Sequence, residues 1–330
     1  MHQPHEHLFR YLADQAAWIE ALIDADLQTV NDAELLDVLR HALLAGGKRV
    51  RPMLVLAAAS LVGAARPQEQ ATVRSLALCV EYLHVASLLH DDVIDNAQQR
   101  RGRPAANTLW GGSRVILAGD FLHARAMTLA GAAAGAEAIT ILGQAISRMV
   151  EAEFLQHRMA VERRRSIDAY LQVVAGKTAA LIAAACELGA LAGGGGANER
   201  TALARYGTKL GLAFQVVDDL LDYLGDPAKT GKQVGNDFAE GKMTLPLLLA
   251  IQRASPEKQA DIDRLLDQPA NQEAFGEMRR MLERLGGFAL ARRQAAAMID
   301  DALAALTPFA DCPEKSVLTG LARYVLERQR

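Results

Sequence analysis

Two stretches of the chain each place three aspartates at the end of an apolar, helix-like run. Residues 88–95 end in Asp91, Asp92 and Asp95. Side chains four residues apart lie on one face of an α-helix, so Asp91 and Asp95 point the same way. Like charges at this spacing repel each other and weaken a helix. A solvated helix end would explain one such cluster. A bound divalent cation would instead offset the repulsion between its carboxylates.

A second cluster repeats the pattern and favours the cation. Residues 214–222 end in Asp218, Asp219 and Asp222 after an apolar approach. Mg²⁺ takes carboxylate oxygens and often bridges to the phosphates of a substrate. We therefore expect the two acidic turns to face each other across a cavity and to hold Mg²⁺ around one polyphosphate. We expect the two outer aspartates of each turn, Asp91 with Asp95 and Asp218 with Asp222, to bind metal directly. Asp92 and Asp219 are expected to bind through water or to orient their neighbours.

The hydrophobic periodicity is helical along the whole chain. Hydrophobic residues make up 51% of the 330 residues and aromatic residues only 5%, and alternating β-branched runs are nearly absent. This pattern predicts one all-α domain over residues 1–330. Glycine and proline breaks predict helices at 8–27, about 68–95, 112–131, 137–161, 166–192 and 199–223.

The bulk properties exclude several classes of protein. A net charge of −3 gives no electrostatic case for nucleic acid. Three cysteines without metal-ligand spacing predict reduced thiols and a cytoplasmic location. The apolar runs are too short or are interrupted by charges, so we expect no membrane span and no signal peptide. The terminal His2, His5 and His7 could bind metal adventitiously.

Basic residues follow breaks in the helices, where they could hold phosphates. Lys48 and Arg51 are three residues apart after Gly46-Gly47 and could grip one phosphate group together. Arg49, Arg103 and Lys229 are expected to be ordinary exposed cations. The other basic residues that follow the acidic turns are Arg100, Arg101, Lys232 and Lys242.

These residues together resemble the trans-type polyprenyl diphosphate synthases, and in particular their long-chain members. The resemblance extends over nearly the whole chain, from Gly46 to Arg328. The blocks that carry it include Gly46-Gly47-Lys48-Arg49-x-Arg51, His84 with Leu89-His90-Asp91-Asp92-x-x-Asp95, Arg100-Arg101-Gly102, Gly119-Asp120-Phe121-Leu122, Gly176-Lys177-Thr178, Phe214-Gln215-x-x-Asp218-Asp219-x-x-Asp222 and Gly231-Lys232-x-x-Gly235-x-Asp237-x-x-x-Gly241-Lys242.

The resemblance implies a bundle of antiparallel helices around a deep central cavity, and a homodimer. It implies that an allylic diphosphate binds through Mg²⁺ to both acidic turns, while isopentenyl diphosphate binds elsewhere. The expected allylic ligands are Arg100, Lys177, Lys232 and Lys242, and the expected isopentenyl diphosphate ligands are Lys48, Arg51, His84 and Arg101. Thr178 and Gln215 would direct oxygen dipoles at the carbocation that forms when the allylic carbon–oxygen bond breaks. His90 is expected to be structural.

Small residues before the first acidic turn predict a long product. Ala86 and Ser87 occupy positions where short-chain members of the family commonly carry a bulky aromatic. An open tunnel beside this helix would hold about eight to ten isoprene units, since the helix is roughly 40 Å long at 1.5 Å per residue. Met127 and Met149 are candidates for its floor, although core packing is an equal alternative. We expect an all-trans product, with octaprenyl diphosphate favoured.

One departure from the family pattern and three alternatives remain. Residues 96–99 lack the acidic side chains that usually precede the two arginines, so the site is less negative at its mouth. A shorter product, farnesyl or geranylgeranyl diphosphate, is one alternative. A non-catalytic subunit of a heteromeric synthase is another, but such subunits usually have degraded aspartate motifs. A terpene cyclase would not need Lys48, Arg51 and Arg101.

Overall fold

The computed structural model describes residues 6–225, 234–268 and 271–328, and most of them are helical. The first helices are α1 Glu6–Leu27, α2 Ala33–Leu43, α3 Val50–Leu61, α4 Ala71–Ile94, α5 Ala106–Trp110, α6 Gly112–Glu162, α7 Ile167–Val174, α8 Ala180–Ala192 and α9 Ala197–Leu224. They are followed by α10 Asn236–Ala239, α11 Leu245–Arg253, α12 Pro256–Asp267, α13 Gln272–Arg284, α14 Gly287–Ala305 and α15 Pro313–Glu327. Within these ranges the strands are β1 Gln99–Arg100 and β2 Arg103–Pro104. The all-α prediction is confirmed.

Helix ends follow local signals in the sequence. The Asp32 side chain accepts a hydrogen bond from the Leu35 N–H at 2.8 Å and so caps α2, because it satisfies a donor that has no partner inside the helix. The helix predicted over 68–95 begins later, at Ala71. Gln70 precedes it with extended backbone (φ −77°, ψ 122°), which separates α4 from a short 3₁₀ turn.

The helices predicted at 112–131 and 137–161 are the two arms of α6. The break between them lies at Ala134 (φ −144°, ψ 15°) and Gly135 (φ 68°, ψ −156°). Gly135 has the positive φ that glycine adopts without steric cost, which explains the change of direction at this point.

A π-helical turn at Ala175–Ala179 separates α7 from α8 and carries Lys177 and Thr178. A Cβ on Gly176 would lie 2.5 Å from the carbonyl oxygen of Arg148, so only glycine allows this turn to pack against α6. Turns of this kind inside α-helices are frequent at functional sites. The single helix predicted over 166–192 is therefore interrupted where its candidate catalytic residues lie.

Contacts divide the chain into two compact units. The first comprises Met1–Ile146, Leu181–Arg205 and Leu306–Gly320, and the second comprises Ser147–Ala180, Tyr206–Ala305 and Leu321–Arg330. The first acidic turn belongs to the first unit and the second turn to the second. A single functional domain over residues 1–330 stays a prediction.

The core of the first unit depends on close helix packing. A Cβ on Gly189 would lie 2.3 Å from the carbonyl oxygen of Val55, and a Cβ on Gly193 would lie 2.5 Å from that of Ala59. Small residues at these positions let the backbone of α8 approach the alanine-rich α3. Larger side chains would force the two helices apart.

Aromatic packing fixes the end of α9 in the second unit. Tyr223, which directly follows Asp222, stacks on Phe275 with ring centroids 5.9 Å apart and meets Phe288 at 5.7 Å. The Thr244 hydroxyl lies 3.3 Å from the Tyr223 hydroxyl and donates to it. Because Tyr223 is fully buried, the helix turn that carries Asp222 cannot rotate without disrupting this core.

Among the described residues, three helical segments are long and apolar enough to cross a membrane, by length and composition only. Inside the protein, 67% of the apolar window of α4 and 72% of that of Ile167–Ala192 are buried, as in a globular core. In α6 the buried share is 28%. These helices do not establish a membrane span.

The prediction that Arg49 is an exposed cation is wrong. Arg49 is 3% exposed, and its Nη1 donates to Glu81 Oε1 at 2.7 Å. Its Nη2 donates to Glu20 Oε1 at 3.2 Å and to the carbonyl oxygen of Leu43 at 2.5 Å. One guanidinium therefore joins α1, α2 and α4 at the start of α3. The sequence did not reveal this role, because Glu81 is hidden within an apolar helix.

We expect Arg49→Ala to lower the free energy of unfolding by about 3–5 kcal/mol, because it leaves Glu81 buried and unpaired. Urea unfolding followed by circular dichroism measures this loss. Arg66→Ala is a matched control: Arg66 has the same φ of 47°, but its side chain is 80% exposed. The control should lose less than about 1 kcal/mol. Equal losses in the two variants would contradict the proposed role of the buried ion pair.

Candidate active site

The first acidic turn holds its middle aspartate inside the protein. Asp92 is 3% exposed, and its Oδ1 accepts hydrogen bonds from Arg100 Nε at 2.8 Å and Nη2 at 2.5 Å. Asp91 is partly exposed, and Asp95 is exposed at the C-terminal cap of α4. The turn therefore keeps Asp92 for a protein cation and leaves the outer two carboxylates nearer the surface.

A short hairpin brings Arg101 to the glycine-rich junction before α3. Strands β1 and β2 are antiparallel, and Arg101 (φ 53°) and Gly102 (φ 74°) form the two-residue turn between them. Positive φ at both positions is the mark of a type I′ turn, which suits the twist of a hairpin. The Arg101 guanidinium donates to the carbonyl oxygen of Gly46, and a Cβ on Gly47 would lie 3.0 Å from its Nη1. A side chain at position 47 would displace this contact.

Four arginines act on the imidazole of His84, about two helical turns before Asp91. Burial lowers the pKa of His84 well below its ordinary value, and the positive charges of Arg51, Arg101, Arg49 and Arg100 lower it further. His84 is therefore neutral at pH 7 and can donate or accept a hydrogen bond without adding charge. So many cations near one side chain indicate a place prepared for an anion.

Arg51 and Arg101 lack full neutralisation within the protein. Burial lowers the pKa of Arg51, the carboxylate of Glu81 raises it, and Arg101 lowers it. Partial burial also lowers the pKa of Arg101. Arg51 Nε is buried and has no hydrogen-bond partner among the described residues. Lys48 is exposed in the same junction. The structure thus brings together the four residues that the resemblance assigns to isopentenyl diphosphate.

The middle aspartate of the second turn is also held inside the protein, but by neutral groups. Asp219 is 4% exposed, and it accepts hydrogen bonds from the Tyr170 hydroxyl at 2.6 Å and from Gln215 Nε2 at 2.9 Å. The Thr178 hydroxyl in turn donates to Gln215 Oε1 at 2.9 Å. Burial raises the pKa of Asp219, as does the nearby Asp237, while the two hydrogen bonds oppose this shift.

Thr178 and Gln215 were predicted to line a cavity and direct oxygen dipoles at a carbocation. The structure brings them into contact, because a Cβ on Gly211 would lie only 2.6 Å from the Cα of Ala179 and α9 therefore packs closely here. Both oxygens take part in the chain of hydrogen bonds to Asp219. Their proposed effect on a carbocation stays a prediction.

Asp222 anchors the segment that follows the second turn. Its carboxylate accepts hydrogen bonds from the backbone N–H groups of Asn236 at 3.2 Å and Asp237 at 3.0 Å. Lys242 lies 3.3 Å from Asp237 and 2.5 Å from Glu240. Burial alone would lower the pKa of Lys242, but these carboxylates raise it, so it stays protonated. Lys242 is thus close to the second acidic turn, and its role as an allylic diphosphate ligand stays a prediction.

Asp218 pairs with a residue at the far end of the chain. Arg328 Nη2 lies 2.5 Å from Asp218 Oδ1, and the guanidinium covers the ring of Phe214 at 4.3 Å from its centroid. The Arg328 side chain is only 8% exposed, and its buried Nε has no hydrogen-bond partner within the described residues. A cation of the protein therefore occupies one side of a candidate metal ligand.

The remaining predicted site residues differ in their burial and in their contacts. Lys177 Nζ lies 2.6 Å from Glu153 Oε2, so it is paired in this structure. Ala86 is fully buried, and Ser87 is partly exposed with its hydroxyl donating to the carbonyl oxygen of His84 at 2.8 Å. Met127 and Met149 are partly buried on α6. Lys232, like Lys229, lies outside the described residues.

Sequence reasoning missed several residues that hold the site together. Glu81, Tyr170 and Arg328 each contact a candidate site residue or its neighbour from 32 to 110 positions away. One sequence signal could have identified Glu81, because a carboxylate inside an apolar helix needs a buried cation as its partner. Tyr170 and Arg328 had none in a single sequence.

Comparisons with known proteins agree on one family. A family model described as polyprenyl synthetase matches residues 32–284. The chain is 33% identical to octaprenyl diphosphate synthase of Escherichia coli (strain K12), over 98% of this chain and 99% of that protein. It is 36% identical to nonaprenyl diphosphate synthase of Mycobacterium tuberculosis, over 94% and 92% of the two chains. It is also 31% identical to geranylgeranyl diphosphate synthase of Methanosarcina mazei, over 96% and 97%.

Solved structures lead to the same family. A decaprenyl diphosphate synthase from Rhodobacter capsulatus matches with a TM-score of 0.89 and 40% identity, over 99% of this chain and 100% of that one. A polyprenyl synthase from Caulobacter crescentus CB15, complexed with calcium and isoprenyl diphosphate, matches with a TM-score of 0.88 and 38% identity, over 98% and 97%. The chain therefore belongs to the polyprenyl synthetase family, and it is a prenyltransferase of the kind that uses a divalent metal and acts on isopentenyl and allylic diphosphates.

Proposed function

We propose that this enzyme is a Mg²⁺-dependent synthase of a long all-trans polyprenyl diphosphate, with octaprenyl diphosphate as the favoured product. The observation that carries the proposal is the set of four arginines around neutral His84, on the same helix as the first acidic turn. Two diphosphates must be held for the condensation, one that leaves and one that stays attached to its substrate. A basic site next to an acidic, metal-binding turn meets both needs.

The basic site is proposed to hold isopentenyl diphosphate. Lys48, Arg51 and Arg101 would neutralise its phosphates, and His84 would contribute a neutral hydrogen bond. The orphaned Nε of Arg51 supports this assignment, because a buried donor without a partner is costly until an acceptor arrives. Arg49 is a positioning residue here, since its ion pair with Glu81 fixes the start of the helix that carries Arg51.

The two acidic turns are proposed to bind the allylic diphosphate. Their carboxylate oxygens are the donors that Mg²⁺ prefers, so the residues present fit this ion. Bound Mg²⁺ would supply positive charge for the departing diphosphate. Asp91 and Asp95 in one turn, and Asp218 and Asp222 in the other, are the proposed direct ligands. Asp92 and Asp219 are buried and hydrogen-bonded by the protein, which supports an orienting role for both.

The proposed reaction begins with cleavage of the allylic carbon–oxygen bond, whose electron pair leaves with the diphosphate. Lys177, Lys242, Arg100 and Lys232 are proposed to stabilise the charge that develops on this leaving group. The double bond of isopentenyl diphosphate then attacks the carbocation, and a proton is lost to the departed diphosphate. Glu153 holds Lys177 in the present structure, so substrate must share or replace that ion pair.

We expect Asp91→Ala and Asp218→Ala each to lower kcat at least about 100-fold, because each removes a partner of transition-state charge. Turnover is measured with labelled isopentenyl diphosphate and an allylic primer at saturating Mg²⁺. Asp311→Ala is the control, since the Asp311 side chain is 98% exposed and should leave turnover unchanged.

Asp218→Ala also unpairs the buried Arg328, so its folding must be checked. Asp218→Asn, which retains an acceptor for Arg328, should lose turnover to a similar extent while keeping the unfolding temperature of the parent. Near-normal turnover in folded variants of either turn would refute the assignment of the metal ligands. A parent protein that shows no turnover with any allylic primer would favour a non-catalytic subunit.

A long product is proposed from the small side chains of Ala86 and Ser87. The relatives reported above include long-chain and geranylgeranyl synthases, so the family does not fix the length by itself. A geranylgeranyl product is the second candidate for this reason. Ser87 is partly exposed one turn before Asp91, where a growing chain would begin to leave the diphosphate site.

We expect Ala86→Tyr to shorten the product to about three or four isoprene units by filling the space below the acidic turn. Because Ala86 is fully buried, this variant could instead unfold, so Ser87→Phe is made alongside it at the more exposed position. Reverse-phase chromatography of dephosphorylated products measures the length. A parent enzyme that stops at farnesyl or geranylgeranyl diphosphate would refute the open-tunnel argument.

A homodimer and a cytoplasmic location are also proposed. On the second arm of α6, Val150, Phe154 and Val161 are 52%, 66% and 73% exposed, and their spacing of four and seven residues places them on one face of the helix. Large exposed apolar side chains along one helix face mark a surface that another molecule covers. A second copy of the chain is the occupant that the family resemblance implies, and a lipid bilayer is the alternative.

We expect the parent to sediment as a dimer and the double variant Val150→Glu/Phe154→Glu as a monomer, since charges oppose burial of this surface. Leu326→Glu, at a residue 39% exposed on α15, is the matched control and should remain dimeric. Analytical ultracentrifugation distinguishes the two species. A monomeric parent that co-floats with lipid vesicles would overturn the dimer and favour the membrane.

A further inference from the structure

A second group of candidate metal ligands lies beside the first acidic turn. His90 on α4 and Asp120 and His123 on α6 each offer one ligand atom, and these atoms all lie within 4.8 Å of one another. All three residues belong to the first compact unit. The sequence predicts a structural role for His90 and no ligand role for Asp120 or His123.

The fold brings these three side chains close to one another. A Cβ on Gly119 would lie 2.3 Å from His90 Nε2, so glycine at this position is what admits the imidazole against α6. His90 Nε2 lies 3.1 Å from the carbonyl oxygen of Ile116 and 3.6 Å from Asp120 Oδ1. The rings of His90 and His123 are 5.6 Å apart between centroids.

Helix geometry supports chelation by α6. Asp120 and His123 are three residues apart, so their side chains lie on one face of the helix. Burial lowers the pKa of His123, and the nearby His90 lowers it further, whereas the carboxylate of Asp120 raises it. A neutral imidazole is the form that binds metal ions.

The donor set selects a different ion from the acidic turns. Two imidazoles and one carboxylate suit Zn²⁺ and related transition metals, whereas Mg²⁺ prefers sites made of oxygen atoms alone. Three protein ligands leave a fourth tetrahedral position for water or another group. Asp120 has a side chain 62% exposed, so this face of the site is open to solvent.

We propose that His90, Asp120 and His123 form a site for one divalent transition-metal ion such as Zn²⁺, separate from the Mg²⁺ ligands of the acidic turns. Ligands about 2.0–2.2 Å from a tetrahedral ion lie about 3.4 Å from one another, so ligand atoms that are up to 4.8 Å apart must draw in by at most about 1.4 Å. The ion would join α4 to α6 directly before the first acidic turn.

The test is zinc binding to the full-length chain. His2, His5 and His7 are first changed to alanine together, so that the terminal histidines cannot bind zinc. Metal-free protein is titrated with Zn²⁺ by calorimetry in excess Mg²⁺, which occupies the oxygen-rich sites. The visible absorption of bound Co²⁺ then reports whether nitrogen ligands and tetrahedral geometry are present.

We expect one Zn²⁺ per chain, and a loss of affinity of more than about 10-fold in both His123→Gln and Asp120→Asn. His157→Gln is the control, because His157 is an exposed histidine on the same helix and should bind zinc like the parent. Each variant must keep the parent unfolding temperature in the absence of zinc, whereas added zinc should raise that temperature only in the parent and the control.

Three results would overturn the proposal. They are the absence of stoichiometric zinc binding, full displacement of zinc by Mg²⁺, and unchanged affinity in folded His123→Gln and Asp120→Asn. None of these readouts depends on prenyltransferase turnover. Failure of the zinc site therefore leaves the proposed catalytic function untouched, and the converse holds as well.

Discussion

Repulsion between aspartates at the end of a helix is the constraint on which each acidic turn depends. Three carboxylates within five residues destabilise a helix unless other groups neutralise or bury them. Both turns meet this constraint in the same way, by withdrawing the middle aspartate into the protein. Asp92 accepts from Arg100, and Asp219 accepts from Tyr170 and Gln215. The outer carboxylates of both turns are more exposed than the middle ones, although in the second turn Asp218 pairs with Arg328 and Asp222 accepts from two backbone N–H groups.

The cations of the first unit are organised around one buried ion pair. Arg49 and Glu81 neutralise each other in the core, at the junction of α1, α2, α3 and α4. That buried pair determines where α3 begins and therefore where Arg51 lies. Arg101 reaches the same junction from the hairpin. The arginines around His84 repel one another. Their positive charge can be concentrated there only because the surrounding helices are held in place.

The sequence predicted the helical class and the break in α6, because each depends on local periodicity or on a turn residue. It failed at Arg49, since a run of basic residues gives no sign that one of them is buried. The pairing of Asp218 with Arg328 spans 110 positions and follows from tertiary packing alone. The acidic turns were predicted as motifs, whereas Glu81, Tyr170 and Arg328 were not, because these orienting groups are distant along the chain from their partners.

The two turns differ in the charge of the groups that hold them, and this difference has a thermodynamic consequence. Arg100 brings a full positive charge to Asp92, so the first turn is partly neutralised before any metal binds. Tyr170 and Gln215 bring only dipoles to Asp219, and its pKa stays raised by burial and by Asp237. A cation bound at the second turn would favour the charged form of Asp219, yet Arg328 already occupies one side of Asp218. A metal at this turn must share or displace Arg328, which links metal binding there to the position of the C-terminal helix α15.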